Sequence, residues 1–171
     1  MNRYTLSSVV LGAYAAVAFF VFAAATVETA LLYPNIFRDI PESLESTQEF
    51  MSVVAVGDVM RPLGAAMLLS GLLACAVSVR FRLARCWSFA SLLALISGQF
   101  LLSILYLWPR ATVLFDDRHR HTANEIERAA TEFEIGQIFR ITAAALAALF
   151  AVLAAITTHR ARVLATITPA H

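Results

Sequence analysis

Four apolar runs, residues 9–32, 62–79, 87–108 and 141–158, constrain this chain more than anything else in it. At 1.5 Å per helical residue each is long enough, or nearly so, to cross roughly 30 Å of bilayer hydrocarbon. Lipid offers no hydrogen bonds to the backbone, so such runs must satisfy their own N–H and C=O groups and fold as helices. The expected fold class is all-α: an integral membrane four-helix bundle forming a single domain, with connecting segments at 33–61 and 109–140. Composition agrees, with 60% hydrophobic and 15% charged residues and a mean hydropathy of +0.73. Soluble domains carry about a quarter charged residues. With 171 residues, the four runs leave no length for a separate soluble catalytic domain.

The first run follows Arg3 and contains the small residues Ala23, Ala24 and Ala25, a pattern shared with cleavable signal peptides. It is longer than the roughly 15 apolar residues of a signal core, which favours a retained span. The second run opens with Pro62, read as a first-turn proline whose missing N–H costs nothing. Trp87 and Trp108 bracket the third run at interfacial positions, and the fourth is alanine-rich.

Charge placement orients the bundle. If all four runs span, Arg3, Arg80, Arg82, Arg85, Arg160 and Arg162 share one side with no acid, while the other side holds the remaining arginines and all 12 acids. The positive-inside rule then makes both termini and the 80–86 turn cytoplasmic, in a plasma-membrane protein. Three or five spans would mix the two sets. Cys75 and Cys86 both fall toward the cytoplasmic side without a C-x-x-C pair, which disfavours a thiol-redox membrane enzyme. No histidine falls within the four runs, so a bis-histidine haem inside the bundle is excluded. A net charge of +1 argues against a nucleic-acid partner.

The outer segments hold most of the polar chemistry. In the first, Pro34 and Pro41 are each expected to force the preceding residue out of the α region. Leu44, Gln48, Met51 and Ala55 then recur at helical spacing among acids, predicting a short amphipathic helix that caps the bundle. In the second, mixed charges at three- and four-residue spacing predict a helix from about Thr122 that runs into the fourth span. Small residues (Gly64, Ala66, Ser70, Gly71 and Ala74; Ala144, Ala147, Ala148, Ala151 and Ala155) mark the expected helix contacts, because membrane helices associate through close packing.

Polar residues at the apolar boundary are the functional candidates. Glu28 lies inside the first run, where a carboxylate is costly unless neutral, paired or facing water. Asp58 with Arg61, and Gln137 with Arg140, sit three apart at the outer starts of spans two and four, and Gln99 lies near the middle of span three. Two arrangements follow. Glu28 and Asp58 pair with Arg61 and Arg140 to fix helix register, or these groups line a pocket. In the pocket Glu28, Arg61 and Arg140 take catalytic roles, and Tyr33, Asp58, Gln99 and Gln137 hold the ligand. A metal site at His119 and His121, completed by Asp117 or Glu125, is a weaker alternative requiring extended chain there.

The step Glu28-Thr29-Ala30-Leu31-Leu32-Tyr33-Pro34, the polar loop, three further spans and the aromatic-containing 133–140 segment entering an alanine-rich helix resemble the small four-span anthrone-oxygenase-like proteins. The likeness covers most of the chain in layout and these short stretches in residues. It implies a membrane-embedded oxygenase, or a descendant of one, acting on a lipophilic aromatic substrate with no evident cofactor motif. It supplies no catalytic residue of its own. The functional expectation is binding or oxidative conversion of a lipophilic small molecule at the outer mouth. The alternative is a non-catalytic accessory subunit docked on a larger membrane complex or on a second copy of itself. Transport ranks third, because four spans without a repeat would need an oligomer to form a path.

Overall fold

The computed structural model describes residues 3–167 as five helices with no strand among them. Four are long and apolar enough to cross a membrane: α1 (Arg3–Ile36), α3 (Val56–Phe81), α4 (Arg85–Asp116) and α5 (Ala123–Ile167). The fifth, α2 (Glu42–Phe50), is short and occupies the segment where an amphipathic cap is expected. The long helices run up and down in an all-α bundle, α1 lying between α3 and α5, and α4 closing the ring against both. One end carries α2 and is termed the cap end; the other carries the 82–84 turn and is termed the turn end.

Helix ends follow local chemistry. The Glu125 carboxylate ties down the start of α5, accepting from the Thr122 N–H (2.8 Å) and hydroxyl (2.9 Å). α5 then continues for 45 residues, about 68 Å, so it extends well past the span that hydropathy marks. At the turn end the Leu83 N–H closes back on the Ser78 carbonyl, with Arg82 in the left-handed conformation (φ 57°) that usually calls for glycine.

The prolines behave differently from expectation. Tyr33 and Trp108, each directly before a proline, stay in the right-handed α region, so α1 and α4 run on through Pro34 and Pro109 instead of stopping there. Both sites are entered through a π-helical segment, Glu28–Leu32 in the first case and Ser103–Leu107 in the second. In each helix the residue after the proline adds a side-chain hydrogen bond to the carbonyl four residues before itself. Asn35 Nδ2 donates to the Leu31 carbonyl (2.6 Å), and Arg110 Nη1 donates to the Tyr106 carbonyl (2.9 Å). Pro62 also departs from its expected first-turn place, because α3 begins at Val56 and the ring sits inside the helix.

Packing is tight where side chains are small. A Cβ on Gly98 would lie 2.0 Å from that of Ala143, and one on Gly71 would lie 3.1 Å from the Tyr14 ring, so these glycines set the α4–α5 and α1–α3 separations. Ala144, Ala147, Ala148 and Ala151 are buried as expected, whereas Gly64 faces open space and Ala66 is exposed. A second apolar cluster lies at the cap end. There Leu44 of α2 is fully buried among Tyr33, Leu107, Leu114, Ile126 and Phe133, which fastens the cap to three of the four long helices. Met51 is half-buried beside this cluster, while Gln48 and Ala55 are exposed.

Candidate functional site

The site lies where α1 changes from α- to π-helical winding. At about 100° per residue, positions five apart on an α-helix point roughly 140° away from each other. The wider i→i+5 winding over Glu28–Leu32 swings Tyr33 back over Glu28, and the Tyr33 hydroxyl donates to Glu28 Oε1. The other carboxylate oxygen, Oε2, accepts from Arg140 Nη2 of α5 at 2.6 Å. Glu28 is 5% exposed and the Arg140 side chain 13%, so this charge-assisted bond is withdrawn from solvent on both sides. Gln99 lies in the π-helical segment Leu95–Leu101 of α4, beside the close approach at Gly98, and donates from Nε2 to the Arg140 carbonyl at 2.8 Å. Three long helices therefore meet at one charged pair.

Around that pair several polar atoms have no partner. Gln137 is completely buried one turn before Arg140, and neither its amide nitrogen nor its oxygen is hydrogen-bonded. Arg140 Nε and the Thr29 hydroxyl are in the same condition. Phe133 packs edge-on against Tyr33 with centroids 5.0 Å apart, so on α5 residues 133, 137 and 140 form one stripe facing the end of α1. Gln137 sits between the aromatic contact and the ion pair. Buried polar groups in folded proteins nearly always have partners. Four orphan atoms on neighbouring turns make this layer unusual.

Of the residues expected to converge, the structure brings together Glu28, Tyr33, Gln99 and Arg140 and buries Gln137 on the same stripe. Asp58 and Arg61 stand elsewhere. The Asp58 carboxylate accepts from the Ala55 N–H at 3.0 Å, capping exposed α3, and the Arg61 side chain folds back along Gly57. Neither is bonded to Glu28 or Arg140, so the four-membered ion network reduces to one pair. The physical reason is helix length: α3 starts a turn and a half before the apolar run, which carries both residues into the surface. His119 lies in a short 3-10 turn, Arg118–Arg120, rather than in extended chain, and the His121 imidazole lies 3.7 Å from Glu125. Among the described residues, no group of three His, Cys, Asp or Glu side chains is placed to hold a metal.

Sequence reasoning passed over a second polar layer, nearer the turn end. Tyr14 Oη and Ser91 Oγ lie 2.7 Å apart, and Ser91 donates to the Ala147 carbonyl at 2.7 Å, linking α1, α4 and α5. Ser78 and Ser88 form a matching pair between α3 and α4 at 2.7 Å. The available signal was serine or tyrosine at positions facing the alanine stripes. Serine is too common in membrane helices for spacing alone to select these few.

Two surface clefts flank the cap. One, of about 500 Å³, is lined by Phe37, Arg38, Asp39, Glu127, Thr131 and Glu134, and is polar. The other, of about 420 Å³, lies between the end of α1 and α2. Neither reaches the Glu28–Arg140 pair. Comparison with protein-family models, with curated proteins and with solved structures finds no match for the chain.

Proposed function

We propose that this is a multi-pass plasma-membrane protein, its termini cytoplasmic, that binds a lipophilic small molecule through the polar layer at the cap end. The observation that carries the reading is the buried Gln137 amide, unbonded at both atoms, one turn from an arginine with a free Nε. A layer serving only to fix helix register would be disrupted by unsatisfied donors and acceptors, each costing roughly 1–3 kcal/mol. A ligand carbonyl or hydroxyl would satisfy the amide, with Arg140 beside it to orient negative charge and the Glu28–Tyr33 pair to hold a proton nearby. The clefts stand beside this layer and not within it, so access requires the adjoining π-helical turns to open. Resemblance to the anthrone-oxygenase-like proteins makes a lipophilic aromatic the first class to test. The cytoplasmic placement of the termini rests on the six acid-free arginines at the turn end.

Mass spectrometry of small molecules retained through mild purification tests the proposal. Wild-type protein is expected to carry one lipophilic compound that Gln137→Leu loses by at least tenfold while remaining folded. Equal retention by the two proteins rejects the layer as a binding site.

A second reading draws support from the Glu28–Arg140 bond itself. The carboxylate is already paired, as in a purely structural clamp, which suits a non-catalytic accessory subunit. Stoichiometric copurification of another membrane protein, with no small molecule bound, favours that reading.

A further inference from the structure

We infer that the turn joining α3 to α4 binds the headgroup of an anionic phospholipid, with Arg80, Arg82 and Arg85 holding its phosphate. The two ends of the bundle treat their arginines in opposite ways. Of the seven toward the cap end, six are ion-paired within the chain, among them Arg110 with Glu132 and Arg140 with Glu28. The turn end carries six arginines and no acidic side chain. Among the described residues, none of those six has a carboxylate partner. A cluster of like charges without an internal counter-charge draws anions from its surroundings.

The position of the turn selects a lipid. The Ser78–Ser88 hydrogen bond (2.7 Å) and the Leu83 N–H closing on the Ser78 carbonyl hold the end of α3 against the start of α4. Three exposed arginines therefore fall within six residues of chain. Outward-facing apolar side chains begin directly beside them, Val79 on α3 and Trp87, Phe89 and Leu93 on α4. Phe89 and Leu93, four apart, share one helix face. Trp87 stacks on Phe150 of α5 with centroids 5.9 Å apart, and indoles favour the boundary between hydrocarbon and headgroups. The arginines thus stand at headgroup depth, with apolar helix faces alongside for the acyl chains. A guanidinium presents a planar fork that matches phosphate oxygens two at a time. A zwitterionic lipid brings an ammonium that three guanidiniums repel, whereas phosphatidylglycerol brings a phosphodiester and a neutral glycerol. A soluble anion would gain the same charge contacts and nothing from the apolar faces. The site lies at the opposite end from the polar layer and does not depend on a ligand there.

Native mass spectrometry measures the lipid retained per chain after exchange into detergent holding equal amounts of phosphatidylglycerol and phosphatidylcholine with the same acyl chains. Wild-type protein is expected to retain phosphatidylglycerol with a severalfold preference. Arg80→Gln, Arg82→Gln and Arg85→Gln together are expected to abolish that preference. Arg38→Gln, Arg61→Gln and Arg120→Gln together remove the same charge at the cap end and are expected to leave it unchanged. No preference in wild type, a full preference in the turn variant, or an equal loss in the cap-end variant overturns the inference. Should the turn variant fail to fold, wild-type protein decides alone. Its preference is expected to fall severalfold from dilute to molar salt, because exposed charges are screened, and to survive millimolar inorganic phosphate. A preference indifferent to salt, or complete displacement by phosphate as at a site for soluble anions, overturns the inference. Gln137→Leu keeps the preference, so failure here and failure of the polar-layer reading remain distinguishable.

Discussion

The bundle contains two polar layers, and they are built on opposite principles. Toward the turn end, Tyr14, Ser91 and the Ala147 carbonyl form a short relay in which each hydroxyl has a partner, packed among alanines on regular α-helix. Toward the cap end, Glu28 and Gln99, on segments wound locally as π-helix, assemble with Tyr33 and Arg140, and the Gln137 amide and Arg140 Nε are left unbonded. Both layers tie α1, α4 and α5 together. The first uses neutral groups and is complete. The second uses charge and is incomplete, and local widening of helices is frequently found where proteins bind or react. A membrane bundle can therefore hold its helices together with modest hydroxyl contacts and reserve the costly charged residues for another purpose.

Substitutions sharpen this contrast, the largest effect coming from the charged layer. Arg140→Ala strands a buried carboxylate and is expected to destabilise the bundle by about 3–5 kcal/mol. Adding Glu28→Gln to it should recover most of the loss, which a double-mutant cycle in chemical or thermal unfolding in detergent would measure. If the double variant is no better than the single one, the pair is not coupled and the two layers do not differ as described. Ser91→Ala removes the partner of Tyr14 and the donor to the Ala147 carbonyl, with an expected cost of about 1–3 kcal/mol in the same assay. An effect near zero would mean that the hydroxyl relay contributes nothing to helix association.

The smallest effect has the opposite sign. Gln137→Leu replaces a buried amide that has no partners with an apolar side chain of similar size, and is expected to stabilise the unliganded bundle by roughly 1 kcal/mol. Loss of the Ser91 hydroxyl destabilises its layer whereas loss of the Gln137 amide stabilises the other, which is the clearest way to tell a satisfied polar group from one awaiting a ligand. Destabilisation by Gln137→Leu in ligand-free protein would erase that distinction.

How much of this was legible beforehand varies by residue. Glu28 stood out because a carboxylate inside an apolar run must find a partner, and Arg140, at the edge of the fourth run, was a reasonable one. Asp58 and Arg61 looked equivalent to Gln137 and Arg140, with the same spacing at the same kind of boundary. The hydropathy pattern gave no indication that α3 begins several residues earlier and turns Asp58 into a helix cap. Pro34 read as a break and Pro109 as the first residue beyond the third run, yet each lies within a continuous helix. The side chains that follow them, Asn35 and Arg110, hydrogen-bond the Leu31 and Tyr106 carbonyls of the preceding turn. Tyr33 was noticed as a neighbour of Glu28, but on an α-helix the two would point apart.

Four helices, their up-and-down order and the asymmetry of charge between the two ends follow from residue order alone, because the cost of exposing backbone or charge to hydrocarbon is large and local. Which polar residues meet is a different matter. That depends on helix register, on the separations allowed by Gly98 and Gly71, and on an extra residue of winding after Val27. These differ in energy by little for any single residue and are settled only when all the helices pack at once. Tertiary structure alone therefore joined Glu28 to Arg140, buried Gln137 without a partner and opened a groove beneath the cap.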